Sequence, residues 1–323
     1  MRQRLALVLV CFASFVAARL LHASASMPDW AYAIPAPPPA GAAPAAAATP
    51  ATSPKQLPGS TLTFTRQQIS DGFGPADWFP SDHPTMPDIV AHGKRPDVRA
   101  CSLCHYPNGK GRQENAGVAG LPISYFVQTM NDFKNGLRKS SESRKTNTSL
   151  MIAYAKAMTP EEIRQAAEYF GAMPWTPWVK VVETADVPKM VSRGGIWMPV
   201  EGPGSNVKEP IGSRIVETPR NPERTEVLRD PHSGFTAYAP IGSIKKGEAL
   251  ARTGECSVCH GADLRGLGPV PGIAGRSPSY LARQLYDIQS GARHGEWAEL
   301  MKKVVAPLTS DDLVDLVAYV ASR

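Results

Sequence analysis

The chain has 323 residues, 42% hydrophobic and 20% charged, which is the balance of a soluble globular protein long enough for two domains. Its net charge of +6 is too mild and too dispersed to argue for nucleic-acid binding. No apolar run reaches the ~20 residues that span a bilayer.

Residues 1–25 read as a secretory signal. Arg2 and Arg4 precede the apolar stretch Leu5–Ala18, and Ala23-Ser24-Ala25 supplies a small-residue cleavage pattern. Cleavage removes three arginines and no acid, which leaves a charge of +3. The expected location is the periplasm, with no membrane span after cleavage; an uncleaved signal would leave the protein membrane-associated. Residues 26–60, rich in Ala and Pro, are expected to form a disordered tether. Residues 61–95 follow as an N-terminal extension, with Trp78, Phe79, His83 and His92 available to pack on the first domain.

The next segment carries chemistry. Cys101-Ser-Leu-Cys104-His105 recurs later as Cys256-Ser-Val-Cys259-His260, and these four are the only cysteines besides Cys11 in the signal. Four cysteines in an exported chain usually suggest disulfides. The spacing C-x-x-C-H is instead the attachment signal of c-type haem. Two thiols three positions apart each add across a haem vinyl group, and the adjacent imidazole is held where it reaches iron. A redox dithiol needs no following histidine. Zinc ribbons pair their C-x-x-C motifs about 15–20 residues apart, and these lie 155 apart.

An offset of 155 lays Cys101–Arg138 over Cys256–Arg293 without a gap, matching Gly117/Gly272, Tyr125/Tyr280, Asp132/Asp287 and Arg138/Arg293 among others. An offset of 150 then matches Met151/Met301, Thr159/Thr309 and Tyr169/Tyr319. The five extra residues between Arg138 and Met151, rich in Ser, Lys and Arg, are expected in an exposed loop. Lys134, Arg138, Lys139, Arg144 and Lys145, opposed only by Glu142, form a candidate docking patch for an acidic partner. The pattern predicts helices over 124–135 and 279–290, and another over 244–253. Pro87 and Pro96 allow only a short helix before Cys101. Each copy ends in a helix capped by Thr159 or Thr309, with apolar residues at i, i+3, i+4 and i+7.

Between the copies, residues 174–243 form a long connector. Segments 178–183, 196–200 and 215–217 favour short strands, broken by Pro and Gly, and the whole is expected to wrap the domain interface. His232 sits in a turn-like Asp-Pro-His-Ser-Gly and is a weak metal candidate; His294 reads as a surface residue. Only Met151 and Met301, among the methionines after the first motif, occupy equivalent positions. They are the candidate sixth ligands of the two irons, opposite His105 and His260.

On these residues the chain resembles the class I cytochromes c, especially the periplasmic dihaem cytochromes of the c-four group. The likeness rests on both C-x-x-C-H motifs, the Ala-Gly…Tyr segments at 119–125 and 274–280, and the Met-to-Thr spacing before each last helix. It implies a mostly α fold of two tandem cytochrome c-like helical domains, at 96–173 and 244–323, joined by the irregular connector with some short strands. It implies two covalently attached haems, bound through Cys101, Cys104, Cys256 and Cys259. Their irons would be held by His105 with Met151 and by His260 with Met301. The implied activity is single-electron transfer, without catalysis, from a donor dehydrogenase or quinol-oxidising complex to an acceptor such as a terminal oxidase. A haem-bearing subunit of a periplasmic dehydrogenase and a dihaem peroxidase-like enzyme are the alternatives. Haem thiosulfate dehydrogenases also resemble the chain, but they use an axial cysteine and none remains here. The first copy departs from the pattern at Tyr106, where the group has Gly, and at Ala116, where Pro would carry the carbonyl that accepts from the axial histidine.

Overall fold

The computed structural model describes residues 25–35 and 53–323. A two-stranded ribbon, β1 (Lys55–Gln56) and β2 (Thr63–Phe64), opens the extension and is followed by α1 (Arg66–Ile69). The first domain then runs through α2 (Asp88–Ala91), α3 (Cys101–His105), α4 (Ile123–Lys134), α5 (Thr146–Ala157) and α6 (Pro160–Gly171). Six connector strands follow: β3 (Val179–Glu183), β4 (Asp186–Pro188), β5 (Met190–Arg193), β6 (Ile196–Pro199), β7 (Lys208–Pro210) and β8 (Val216–Pro219). After β9 (Phe235–Ala239) come α7 (Ser243–Thr253) and α8 (Cys256–His260). The ribbon β10 (Gly266–Leu267) and β11 (Val270–Pro271) precedes α9 (Pro278–Gln289), α10 (Glu296–Val305) and α11 (Ser310–Ala321). The fold is mostly helical. Among the described residues no helix is long and apolar enough to cross a membrane.

The internal repeat folds as a repeat. The series α3, α4, α5, α6 corresponds to α8, α9, α10, α11. Both terminal helices begin in a capping box. Thr159 Oγ1 accepts from the Glu162 amide at 3.2 Å while the Glu162 carboxylate accepts from the Thr159 amide at 2.7 Å. Thr309 and Asp312 repeat the exchange at 3.2 and 2.9 Å. Satisfying two otherwise orphaned amides fixes where each helix starts. The copies differ ahead of the motif. The second has α7, which crosses α11; the first has only the single turn α2, since Pro87 and Pro96 bound that stretch.

The connector builds a three-stranded sheet in which β9 lies between β3 and β8, parallel to β3 and antiparallel to β8. Its inward residues, Val179, Ile215, Phe235 and Ala237, join the core of the second domain with Val314 and Val317 of α11. The connector is thus part of that domain's core, and more than a wrap.

Two expectations are corrected. The stretch 26–35 is not a tether. Ala31 and Tyr32 are buried in the second domain's core, Arg283 donates to the Ala31 carbonyl at 2.5 Å, and Trp197 Nε1 donates to the Trp30 carbonyl at 2.6 Å. Two aromatic side chains in a short segment bury enough apolar surface to order it. Residues 53–60 are likewise ordered around β1, with Leu57 buried. The Ala/Pro-rich reading otherwise falls on residues 36–52, and the signal on 1–24, both outside the described residues. The insertion after Arg138 is a loop, but only part of it faces solvent: Lys139, Ser143 and Arg144 are exposed while Glu142 and Lys145 are buried. The Lys139 amide donates to the Ala292 carbonyl at 2.9 Å, Ser141 donates to Asp287 at 2.8 Å, and α5 begins at Thr146.

At the crossing of α7 and α11 a Cβ on Gly247 would lie 2.0 Å from the Asp315 carbonyl oxygen. Only glycine allows that approach. Gly247→Ala is expected to cost about 1–3 kcal/mol through overpacking, measured as a lower midpoint in denaturant unfolding with an unchanged slope.

Candidate functional site

Each C-x-x-C-H motif forms a short helix whose histidine faces a cleft. In α3, His105 Nδ1 is 2.8 Å from the Ala116 carbonyl oxygen; in α8, His260 Nδ1 is 2.8 Å from that of Pro271. The same backbone bond therefore forms with or without proline. It fixes the tautomer and leaves Nε2 as the free lone pair. Burial pushes both imidazoles below their ordinary pKa, against the raising effect of that bond, which favours the neutral form. Among the described residues, none of the four motif cysteines is tied up in a disulfide.

The departure at Tyr106 has a structural consequence. Gly261 has φ +83° and Tyr106 φ +64°, so the chain leaves each motif in the left-handed region. A tyrosine there is strained. It is held by complete burial and by Arg229, whose guanidinium lies 5.9 Å from its ring centre.

The first cleft is lined by Cys104, His105, Val118, Phe126, Met130, Met151 and Tyr154 on its apolar sides. The second is lined by Cys256, Cys259, His260, Leu281, Met301, Leu308 and Val317. Met151 lies on α5 and Met301 on α10, so helices rather than loops present them. The first cleft thus gathers Cys104, His105 and Met151, and the second Cys256, Cys259, His260 and Met301, with the methionine in each coming from a different helix than the motif.

The two clefts meet at the domain interface, where residues of one domain line the cleft of the other. Tyr280, Arg283 and Gln284 reach the first; Leu121 and Tyr125 reach the second. Arg138 Nη2 donates to Tyr280 Oη at 3.0 Å and to Gln284 Oε1 at 2.7 Å, while Arg293 Nη2 donates to Tyr125 Oη at 3.0 Å. These are the repeat-matched arginines and tyrosines, exchanged between domains. Burial alone would raise the Tyr125 phenol, but Arg293 and Arg138 bring it down to about 7. Arg276 completes the seam by donating to the Gly117 and Ala119 carbonyls at 2.7 and 3.1 Å.

The candidate docking patch does not survive intact. Arg138 and Lys145 are buried, and Glu142 is paired with Arg144 at 2.6 Å. Only Lys134, Lys139 and Arg144 remain exposed. Lys145 instead lines the first cleft beside Glu114, Asn115, Asn147 and Arg283. Burial, then Arg283, lower its amine to about 7, with Glu114 opposing and Arg112 adding to the effect. The sequence offered no sign of this, because Lys145 lies where the repeat shifts its register, and the helix-start position it occupies is Gly295 in the second copy. His232 pairs with Asp82 at 2.6 Å. Among the described residues no cluster of three His, Cys, Asp or Glu side chains forms a metal site. His294 is exposed.

A cytochrome c family model matches residues 244–323. Cytochrome c4 of Thiocapsa roseopersicina is 37% identical over 92 residues, 28% of this chain and 45% of that relative, so the match spans less than half of its length. Cytochrome c-554(548) of Halomonas halodenitrificans is 36% identical over 81 residues, 24% of this chain and 98% of the relative. The thiosulfate dehydrogenase electron acceptor of Stutzerimonas stutzeri is 23% identical over 234 residues, 71% of this chain and 82% of the relative. With its repeated haem motifs and oriented histidines, the chain belongs to the cytochrome c family, as a c4-like class I electron-transfer cytochrome with covalently bound c-type haem.

Proposed function

We propose that the chain is a periplasmic two-haem carrier, with Cys101 and Cys104 attaching one haem and Cys256 and Cys259 the other. His105 with Met151, and His260 with Met301, would hold the two irons. The carrying observation is that each cleft brings together a histidine with its Nδ1 already engaged and the one methionine matched between the repeats. Bound haem supplies one reversible electron at iron. The histidines hold a fixed tautomer toward it, and the methionine thioethers favour the ferrous state. The apolar walls exclude water, which limits rearrangement on electron transfer. A peroxidase-like enzyme needs an open iron, and a methionine in both clefts speaks against that reading. The donor is a dehydrogenase or a quinol-oxidising complex and the acceptor an oxidase. The relative named as a thiosulfate dehydrogenase electron acceptor supports a dehydrogenase as donor.

Mass spectrometry of the denatured mature protein should give apoprotein plus two haems, resistant to acidic acetone. Met151→Ala should open only the first iron and Met301→Ala only the second. Each should remove about half of the long-wavelength methionine–Fe(III) band and admit cyanide at one haem. Cyanide binding to the unmutated protein would instead favour the enzyme.

Lys145 has a specific role in this reading. Its buried amine lines the first cleft, no side-chain acceptor lies within hydrogen-bond reach of it among the described residues, and the equivalent position of the second copy is Gly295. It is the counter-charge for a haem carboxylate at the first site. A buried cation favours the less positive, ferrous iron. Lys145→Gln should therefore lower one of the two midpoint potentials in a spectroscopic redox titration and leave the other in place.

A further inference from the structure

The repeat gives an internal control for how each site meets solvent. Leu103 and Val258 occupy the same place, the residue before the second motif cysteine. Leu103 is 7% exposed and Val258 65%. Arg112 and Leu267 are likewise equivalent, at 9% and 59%. Cys259 is exposed, whereas Cys104 is mostly covered. Leu300, on the wall of the second cleft, is 78% exposed, against 39% for its equivalent Leu150 on the wall of the first.

The cover over the first site comes from the connector. Arg229 donates to the Leu103 carbonyl and lies over Tyr106. Asn108 Nδ2 donates to the Pro231 carbonyl at 2.9 Å. Arg112 pairs with Glu114 at 2.5 Å and with Glu226, on the connector, at 2.7 Å. The extension holds this segment from behind, since Trp78 Nε1 donates to the Leu228 carbonyl at 2.8 Å and Phe79 stacks on His232. Buried ion pairs and hydrogen bonds of this kind resist being opened singly, because each break leaves a charge or dipole unpaired. No described residue covers Val258, Leu267 or Leu300 in the same way.

We propose that the connector closes the cysteine edge of the first haem site, so that electrons pass to and from partner proteins at the cysteine edge of the second site and reach the first across the domain interface. The inference rests on the haem attachment proposed above. A one-electron redox protein docks over Val258 and Leu267. One electron leaves it, arrives at the second site and then at the first; each giver is oxidised and each taker reduced, with no bond made or broken. The interface provides the inner route, because Tyr125, Tyr280 and Gln284 line both clefts.

The test uses the reduced, diamagnetic holoprotein with its two haems first counted by mass. A neutral gadolinium chelate is added, and the relaxation of haem methyl protons beside the cysteine linkages is followed by NMR. Leu300→Thr, which alters the wall of the second cleft alone, identifies that site's signals. The expected result is a several-fold larger relaxation enhancement at the second haem. Equal enhancement, or a larger one at the first, overturns the proposal. Arg229→Ala should raise the enhancement at the first haem and leave the second unchanged; no change at the first shows that the connector is not the cover. Should Arg229→Ala fail to fold, Asn108→Ala serves the same comparison. A protein with fewer than two haems would defeat the functional reading itself, which the mass measurement registers before any relaxation is recorded.

Discussion

Two buried guanidinium groups determine how the halves of this molecule meet. Arg138 and Arg293 come from equivalent places in the repeat, and each donates to the tyrosine of the other copy. A guanidinium taken out of water is costly unless its donors are used. The domains therefore cannot slide or rotate without stranding both at once. A short antiparallel bridge between the same two arginines, flanked by the Lys139 and His294 amides on opposite carbonyls at 2.9 Å, locks the backbone in the same register. Because Tyr280 and Tyr125 belong to the cleft walls, this lock also fixes the separation of the two sites.

What could be read from the sequence was the local part. The C-x-x-C-H motifs, the capped terminal helices and the matched methionines depend on residues close together in the chain, and spacing alone reveals them. The connector was legible only as strand-prone segments. Its central pairing joins Val179 to Phe235 in parallel, a contact between distant residues that no local pattern encodes. The 26–35 segment was misread for a related reason. Composition averaged over 26–60 hid Trp30 and Tyr32, the two side chains that anchor it. Polar residues matched between repeats, Arg138/Arg293 and Tyr125/Tyr280, held the signal for the interface. Core positions tolerate swaps among apolar residues, so identity kept at polar ones points to a specific bond.

The two copies show which features the site requires and which it can exchange. The histidine needs a carbonyl acceptor at a fixed place, and Ala116 supplies it as well as Pro271 does. The chain must leave the motif with positive φ, and glycine does so without strain. Tyr106 adopts the same conformation only under the cover of Arg229 and the connector. In the second copy an added Cβ at Gly261 would lie 2.7 Å from the Gly266 carbonyl oxygen, so tyrosine is excluded there by backbone as well as by strain.

This links the strained residue to the cover above it. An exposed tyrosine in the left-handed region would relax, because nothing would offset the steric cost of its Cβ. Buried beneath Arg229, its ring contributes apolar area and a cation–π contact against a strain of order 1–2 kcal/mol and a phenol oxygen that has no hydrogen-bond partner among the described residues. The covered first site and the tyrosine in its motif are therefore one feature. Removing the connector would expose Tyr106 in a conformation it could not keep, and replacing Tyr106 with glycine would leave a void beneath Arg229. The second copy, with glycine at that place, has no such dependence and can leave its cysteine edge open to solvent.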